Sequence, residues 1–335
     1  MNRAITETSA NLNEEEYRNM TPSERPPITD KYLQCILIYN DESALIGASS
    51  MTDRYWRGTV WFCNAVSDVE RSKSFVALKT ESGVTDAAYL GQRNKFIIGE
   101  DSGSAQIVEF VKDVETNSQE LRVIESVCLH DDTLTTMSVF FDNANMVTGA
   151  VDCCIKVLDL VELIPLHTYY YAHKELVTCV NAKPKSTTVF ASTSLDNECL
   201  MWDVRHYKPA QSIFENDDCS LTSVAWDPCD EHICAVGTLD GNIILLDTRK
   251  PKASLEHQSV FPRGIHKLLF HPEKPHRLAG CCDDSIVKIC DTSKELAIVY
   301  KDDRHADFVR GLAWHNKDLI TCSWDDTVLR HVWDS

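Results

Sequence analysis

His173, Ser194 and Asp196 bring an imidazole, a hydroxyl and a carboxylate into one short stretch of chain, and Trp202 follows closely. These are the residue types of a nucleophilic hydrolase, in which a histidine takes the hydroxyl proton and a carboxylate orients the histidine. The rest of that chemistry is missing. The sequence has no G-x-S-x-G elbow, no phosphate-cradling G-x-x-x-x-G-K-[ST] or G-x-G-x-x-G loop, and no H-E-x-x-H. The same types also return along the chain as Asp152, Asp240 and the pair His305 and Asp325. Residue types that return at the interval of the repeat serve the architecture. His173, Ser194, Asp196 and Trp202 are therefore read as a buried hydrogen-bond relay, Asp accepting from His and Ser linking to Trp. No catalytic residue is assigned, and the chain is not expected to be an enzyme.

The 14 cysteines raise metal and redox chemistry next. None shows the ligand spacing of a zinc site, and the adjacent pairs Cys153-Cys154 and Cys281-Cys282 would point to opposite faces of a strand. Cys154, Cys199, Cys234, Cys290 and Cys322 fall in expected strands and are read as small buried apolar residues. No metal and no cofactor is expected. Two motifs have the chemistry of recognition instead. Arg54, Tyr55, Trp56 and Arg57 cluster in a segment read as the loop Met51 to Gly58, and Arg with aromatics is the composition of interface hot spots. Trp202-Asp203-Val204-Arg205 fits the W-D-x-R box by which substrate receptors of cullin-RING ubiquitin ligases bind their adaptor, a short motif that Asp247-Thr248-Arg249 half repeats.

The elements that must hold these residues emerge from a repeat. Four segments read Asp, six residues, Asp, beginning at Asp152, Asp196, Asp240 and Asp284, with a constant interval of 44 residues. Each reads as a tight turn followed by a strand, and each is preceded by two further apolar runs, such as Leu221–Trp226 and Ile233–Thr238. Weaker copies precede and follow, at Ala44 to Asn64, Phe96 to Phe110 and Leu319 to Trp333, which makes seven. A period of 40 to 45 residues with four strands per unit marks propeller blades. The expected fold is all-β, a seven-bladed WD-repeat β-propeller over residues 15–335, with residues 1–14 as a disordered tail. The last repeat runs out after three strands, so an N-terminal strand near Glu15 to Met20 is expected to close the last blade.

Lys and Arg number 33 against 51 Asp and Glu, a formal net charge of −18. Such a field repels nucleic-acid phosphates and favours basic partners. No apolar run is long enough for a membrane helix, and the polar N-terminus does not read as a secretion signal. A soluble protein, cytoplasmic with nuclear entry through partners, is expected.

Three stretches narrow the reading: LIGASSMTDRYWRGTVW from Leu45, TESGVTDAAYLGQRNKFIIGEDS from Thr80 and HADFVRGLAWHNKDLITCSWDDTVLRHV from His305. Together they resemble the methylosome protein 50 family of WD-repeat subunits, from first blade to last. The resemblance implies a non-catalytic scaffold and cofactor subunit of a symmetric protein arginine methyltransferase complex. Its partner would be the type II enzyme, in an assembly of four enzyme and four propeller subunits, and it would help present basic substrates such as histone tails and Sm proteins. It further implies that the loop with Arg54 and Trp56 meets the enzyme. The sequence departs from the family in a more acidic, less Pro-rich N-terminus, an expanded loop Asp113 to Glu120 and the lack of a Pro-rich C-terminal tail, which puts tail-mediated contacts in doubt.

Overall fold

Central strands of the repeat are apolar on both faces and outer strands are polar, so each unit can be covered only by its neighbours. The computed structural model describes residues 32–39, 43–52, 55–69, 75–113 and 118–333. Among them lie seven antiparallel sheets, six of four strands and one of three, each running in chain order from inner to outer strand. Blade one is Tyr32–Tyr39, Ser43–Thr52, Tyr55–Cys63 and Phe75–Thr80, and blade four is Val177–Ala182, Val189–Ser194, Glu198–Asp203 and Gln211–Glu215. Blade seven contributes Val309–His315, Asp318–Ser323 and Val328–His331. The inner strands pack side by side around a central channel, and Tyr32–Tyr39 packs against Val309–His315 to close the ring. This is the seven-bladed all-β propeller that the interval of 44 residues implies. The expected closing strand at Glu15 to Met20 and the tail 1–14 lie outside the described residues.

Burial follows the strand order. In blade five the second strand, Ile233–Thr238, is buried except at its first residue, whereas the outer strand Ser254–Ser259 is exposed at every position but one. The core is divided into seven clusters, each filling the seam between two neighbouring blades. Between blades three and four, Phe190 and Trp202 stack at 5.9 Å between ring centroids, with Tyr169 tilted against the indole at 4.7 Å. Each such buried side chain contributes roughly 1.5–3 kcal/mol. The first and last blades meet through Leu33, Ile36 and Ile46 against Ala313 and Ile320.

Most inner strands share one irregularity. The register slips by a residue just after the first buried apolar side chain, between Val84 and Asp86 in blade two and between Ile265 and Lys267 in blade six. A bulge re-aims side chains. Here consecutive residues, Thr85 with Asp86 and His266 with Lys267, all line the central channel.

Two expectations are corrected. The segment Met51 to Gly58 is not a loop: the strands of blade one continue through it in the pairs Ser49↔Gly58, Ser50↔Arg57, Met51↔Trp56 and Thr52↔Tyr55. Without an Asp turn to stop it, the ladder simply runs on. Cys154 lies not within a strand but just before Ile155–Asp159, where it is half-buried, because the Asp152 turn occupies its position. Cys199, Cys234, Cys290 and Cys322 are buried in strands, while Cys128 and Cys229 are exposed. All the cysteines are free thiols.

Candidate functional site

The relay of blade four begins at the Trp202 indole, whose N–H donates to Ser192 Oγ at 2.8 Å. With that lone pair taken, the Ser192 hydroxyl donates to His173 Nε2 at 2.7 Å, and His173 Nδ1–H donates to Asp196 at 3.0 Å. Asp196 also accepts the backbone N–H groups of Lys174 and Glu198, at 2.9 and 3.0 Å. Burial alone would raise the Asp196 carboxyl, but the bonds from His173 and these amides hold it below its ordinary value. His173, Asp196 and Trp202 are thus brought together as expected, and Ser194 is not the link. Ser192 lies diagonally across the ladder from Trp202, since Trp202 pairs with Phe190 and Leu200 with Ser192. Ser194 is too far along. Its hydroxyl donates to the Glu175 carbonyl and accepts the Asp196 N–H, both at 3.1 Å, bracing the turn.

Two more blades repeat the device. In blade three His130 bonds Asp152 at 3.0 Å and Thr148 at 2.9 Å. In blade seven His305 bonds Asp325 at 3.0 Å and Thr321 at 2.7 Å, and Thr321 is met by His331 Nε2 at 2.8 Å. His331 takes the place of Trp202, six residues after the turn Asp in both blades. Burial pushes its imidazole down to about 4, so at neutral pH it stands as the uncharged donor the site requires. Sequence reading missed His130, Thr148 and Thr321. Alignment of His130 and Asp152 on His173 and Asp196 would have found them. Ser192, Thr148 and Thr321 are fully buried and bonded, so none is poised as a nucleophile.

Asp203 and Arg205 of the W-D-x-R box form a local clasp. Arg205 Nε donates to Asp203 Oδ1 at 2.9 Å, and its Nη2 reaches the other oxygen. Arg249 holds Asp247 in the same way, with bonds of 2.9 and 2.8 Å, in a blade with Leu246 at the Trp position. The clasp is a repeated blade-edge feature, and no further observation marks Arg205 as an adaptor contact.

Glu100 occupies in blade two the strand position that Ser194 has in blade four. It is 3% exposed, and its carboxylate accepts from Gln106 Nε2 at 3.2 Å. Burial, with Asp101 and Glu81 nearby, raises it to about 7 from an ordinary 4.5. Between these values the folded chain holds a proton that the unfolded chain has released, so stability falls as pH rises from about 4.5 to 7 and levels off above. Glu100→Gln is expected to stabilise by about 2 kcal/mol at pH 8 and to be close to neutral at pH 4, after allowance for screening. Paired urea titrations at the two pH values measure the difference.

The hairpin of blade one is the feature without a counterpart. Other blades turn soon after the residue equivalent to Gly47, whereas here five further pairs follow, from Ala48↔Thr59 to Thr52↔Tyr55. At about 3.3 Å per residue the ladder runs roughly 16 Å past the point where the neighbouring ladders end. Gly58 sets its base: a methyl group there would lie 2.6 Å from the Ser82 carbonyl oxygen and 2.8 Å from the Val84 nitrogen, so only glycine admits the approach of blade two. Tyr55 and Trp56 begin the returning strand and Arg57 is exposed, while Arg54 lies outside the described residues.

Comparison with known proteins agrees with this architecture. The family model described as WD domain, G-beta repeat matches residues 164–203, the stretch that carries the Trp202 relay. The chain is 32% identical over 316 residues to methylosome protein WDR77 of Xenopus laevis, covering 92% of each protein. More distant similarity reaches nuclear pore complex protein nup43 of Dictyostelium discoideum, 25% identical over 46% of this chain and 37% of that one. It also reaches the human GATOR2 complex protein WDR24, 24% identical over 63% of this chain and 26% of that one. Similarity sustained from the first blade to the last, and at this level only partial in the more distant propellers, places the chain in the methylosome WDR77 family of WD-repeat proteins.

Proposed function

We propose that the chain is the non-catalytic propeller subunit of a methylosome, docked on a type II protein arginine methyltransferase and helping to present basic substrates such as histone tails and Sm proteins. The observation that carries this reading is the 32% identity to methylosome protein WDR77 over 92% of both chains. Two physical features support it. The net charge of −18 attracts Arg- and Lys-rich tails at long range. The segment Arg54 to Arg57 holds residue types that anchor interfaces, the backbone of Tyr55, Trp56 and Arg57 belongs to the projecting hairpin, and Arg57 is exposed there. A four-plus-four assembly in cytoplasm and nucleus completes the proposal.

The test is recovery of the tagged chain from its own cell extract, with an assay of the eluate for symmetric dimethylation of a histone tail. Wild type is expected to bring down the activity. Trp56→Ala, folded by circular dichroism, is expected to lose at least about 2 kcal/mol of binding, roughly thirtyfold in affinity, and with it the activity. Recovery by both proteins would move the docking site away from the hairpin. Recovery by neither would overturn the function.

A further inference from the structure

The seven inner strands surround a cavity of about 350 Å³, room for roughly ten waters at ~30 Å³ each. Its wall is uneven. Blades six and seven contribute His266, Lys267 and Arg310, the first two made neighbours on the channel by the bulge at Ile265. Arg310 Nη1 donates to His266 Nδ1 at 2.9 Å and to Asp283 Oδ1 at 2.8 Å. Its guanidinium lies over the Trp324 ring, 4.5 Å from the centroid, which fixes its plane. Because His266 accepts at Nδ1, its proton sits on Nε2. Burial and the adjacent Arg310 charge hold the ring well below the ordinary histidine value, so it stays neutral.

Across the channel stands Asp86 of blade two. Lys267 Nζ is 3.9 Å from Asp86 Oδ1, a loose pair, and Asp86 Oδ2 already accepts the Met137 N–H at 2.9 Å. The two carboxylates are therefore engaged, Asp86 by Met137 and Lys267 and Asp283 by Arg310, while the Thr85 and Ser223 hydroxyls on the wall have no partner among the described residues. Donors remain on one wall: His266 Nε2–H, the hydrogens of Lys267 Nζ that Asp86 does not engage, and Arg310 Nη2, which has no partner among the described residues. The negative charge of the whole chain is spread over its surface and screened beyond about 8 Å, so donors at contact range decide what can bind.

We propose that the central channel binds a small oxyanion, a phosphate or a carboxylate, against His266, Lys267 and Arg310. An oxyanion accepts from Lys267 together with either His266 Nε2–H or Arg310 Nη2, whereas a cation would find each carboxylate already compensated. The site lies inside the ring, apart from the blade-one hairpin, and does not depend on the methyltransferase reading.

The experiment titrates the full-length chain with inorganic phosphate and, in parallel, with N-acetyl-phosphoserine amide. It follows the His266 ring by imidazole NMR and binding by calorimetry. Saturable millimolar or tighter binding that moves the His266 resonance is expected. Tighter binding of phosphate points to a free anion, and tighter binding of the phosphoserine probe to a modified side chain. Lys267→Gln/Asp86→Asn removes both members of the cross-channel pair, leaving no lone buried charge, and is expected to fold and bind at least about tenfold more weakly. No saturable binding by wild type, a His266 resonance that does not move, or equal binding by the folded double variant would overturn the proposal.

Discussion

Gly241→Ala is expected to destabilise the protein by about 3 kcal/mol or more, the sum of a left-handed backbone that alanine resists and a backbone collision. Gly241 has φ +88°, and a methyl group there would overlap the Phe261 carbonyl oxygen and come within 2.8 Å of the Arg263 carbonyl oxygen. Neither obstacle is a side chain that can swing away. The Gly241 carbonyl also accepts the N–H groups of Val260 and Phe261, at 3.1 and 2.9 Å, and so ties the turn of blade five to the entry of blade six. Gly91→Ala is the control. It shares a positive φ of +68°, but its new methyl group would meet only the Asn143 side chain, at 3.2 Å, and a cost nearer 1 kcal/mol follows. Urea denaturation of the two variants at one pH separates strain from collision. Equal losses would mean that the Phe261 contact relaxes freely.

Ser192→Ala is expected to cost about 3 kcal/mol, because one deleted hydroxyl strands two buried partners, the Trp202 indole N–H and His173 Nε2. Ser194→Ala loses only the brace to Glu175 and Asp196, and about 1 kcal/mol is expected. The order of the two variants distinguishes the relay seen in the structure from the one suggested by spacing. A larger loss for Ser194 would show that the turn brace, not the relay, holds blade four. Hydrogen exchange at the Trp202 indole should rise in Ser192→Ala alone.

The limits of the sequence are instructive at this relay. His173, Asp196 and Trp202 are legible because the turn Asp recurs every 44 residues and His and Trp are scarce in the chain. The serine is not, since Ser192 and Ser194 stand on one strand two residues apart and only the register opposite Trp202 tells them apart. The same distinction runs through the fold. The inner three strands of a blade show as apolar runs and Asp turns, whereas outer strands such as Ser254–Ser259 are exposed and carry no periodic signal. The blade-one hairpin reads as a loop in the sequence because no short Asp turn separates its two strands, while its ladder is set by cross-strand pairing with Ser49 to Thr52. The channel wall was invisible for a related reason. His266 and Lys267 would alternate faces on a regular strand, and the bulge that aims both inward leaves no mark in composition.

The seam that joins Leu33 and Ile36 to Ala313 and Ile320 has a consequence for how the molecule is made. Six seams link blades adjacent in sequence and can zip as the chain leaves the ribosome. The seventh must wait until almost the whole chain is out, and its high contact order makes it the slowest step. Until then the nascent array presents two complementary apolar faces, one at each end. That interval is when a chaperone has most to protect, and when two unfinished rings can exchange blades instead of each closing on itself.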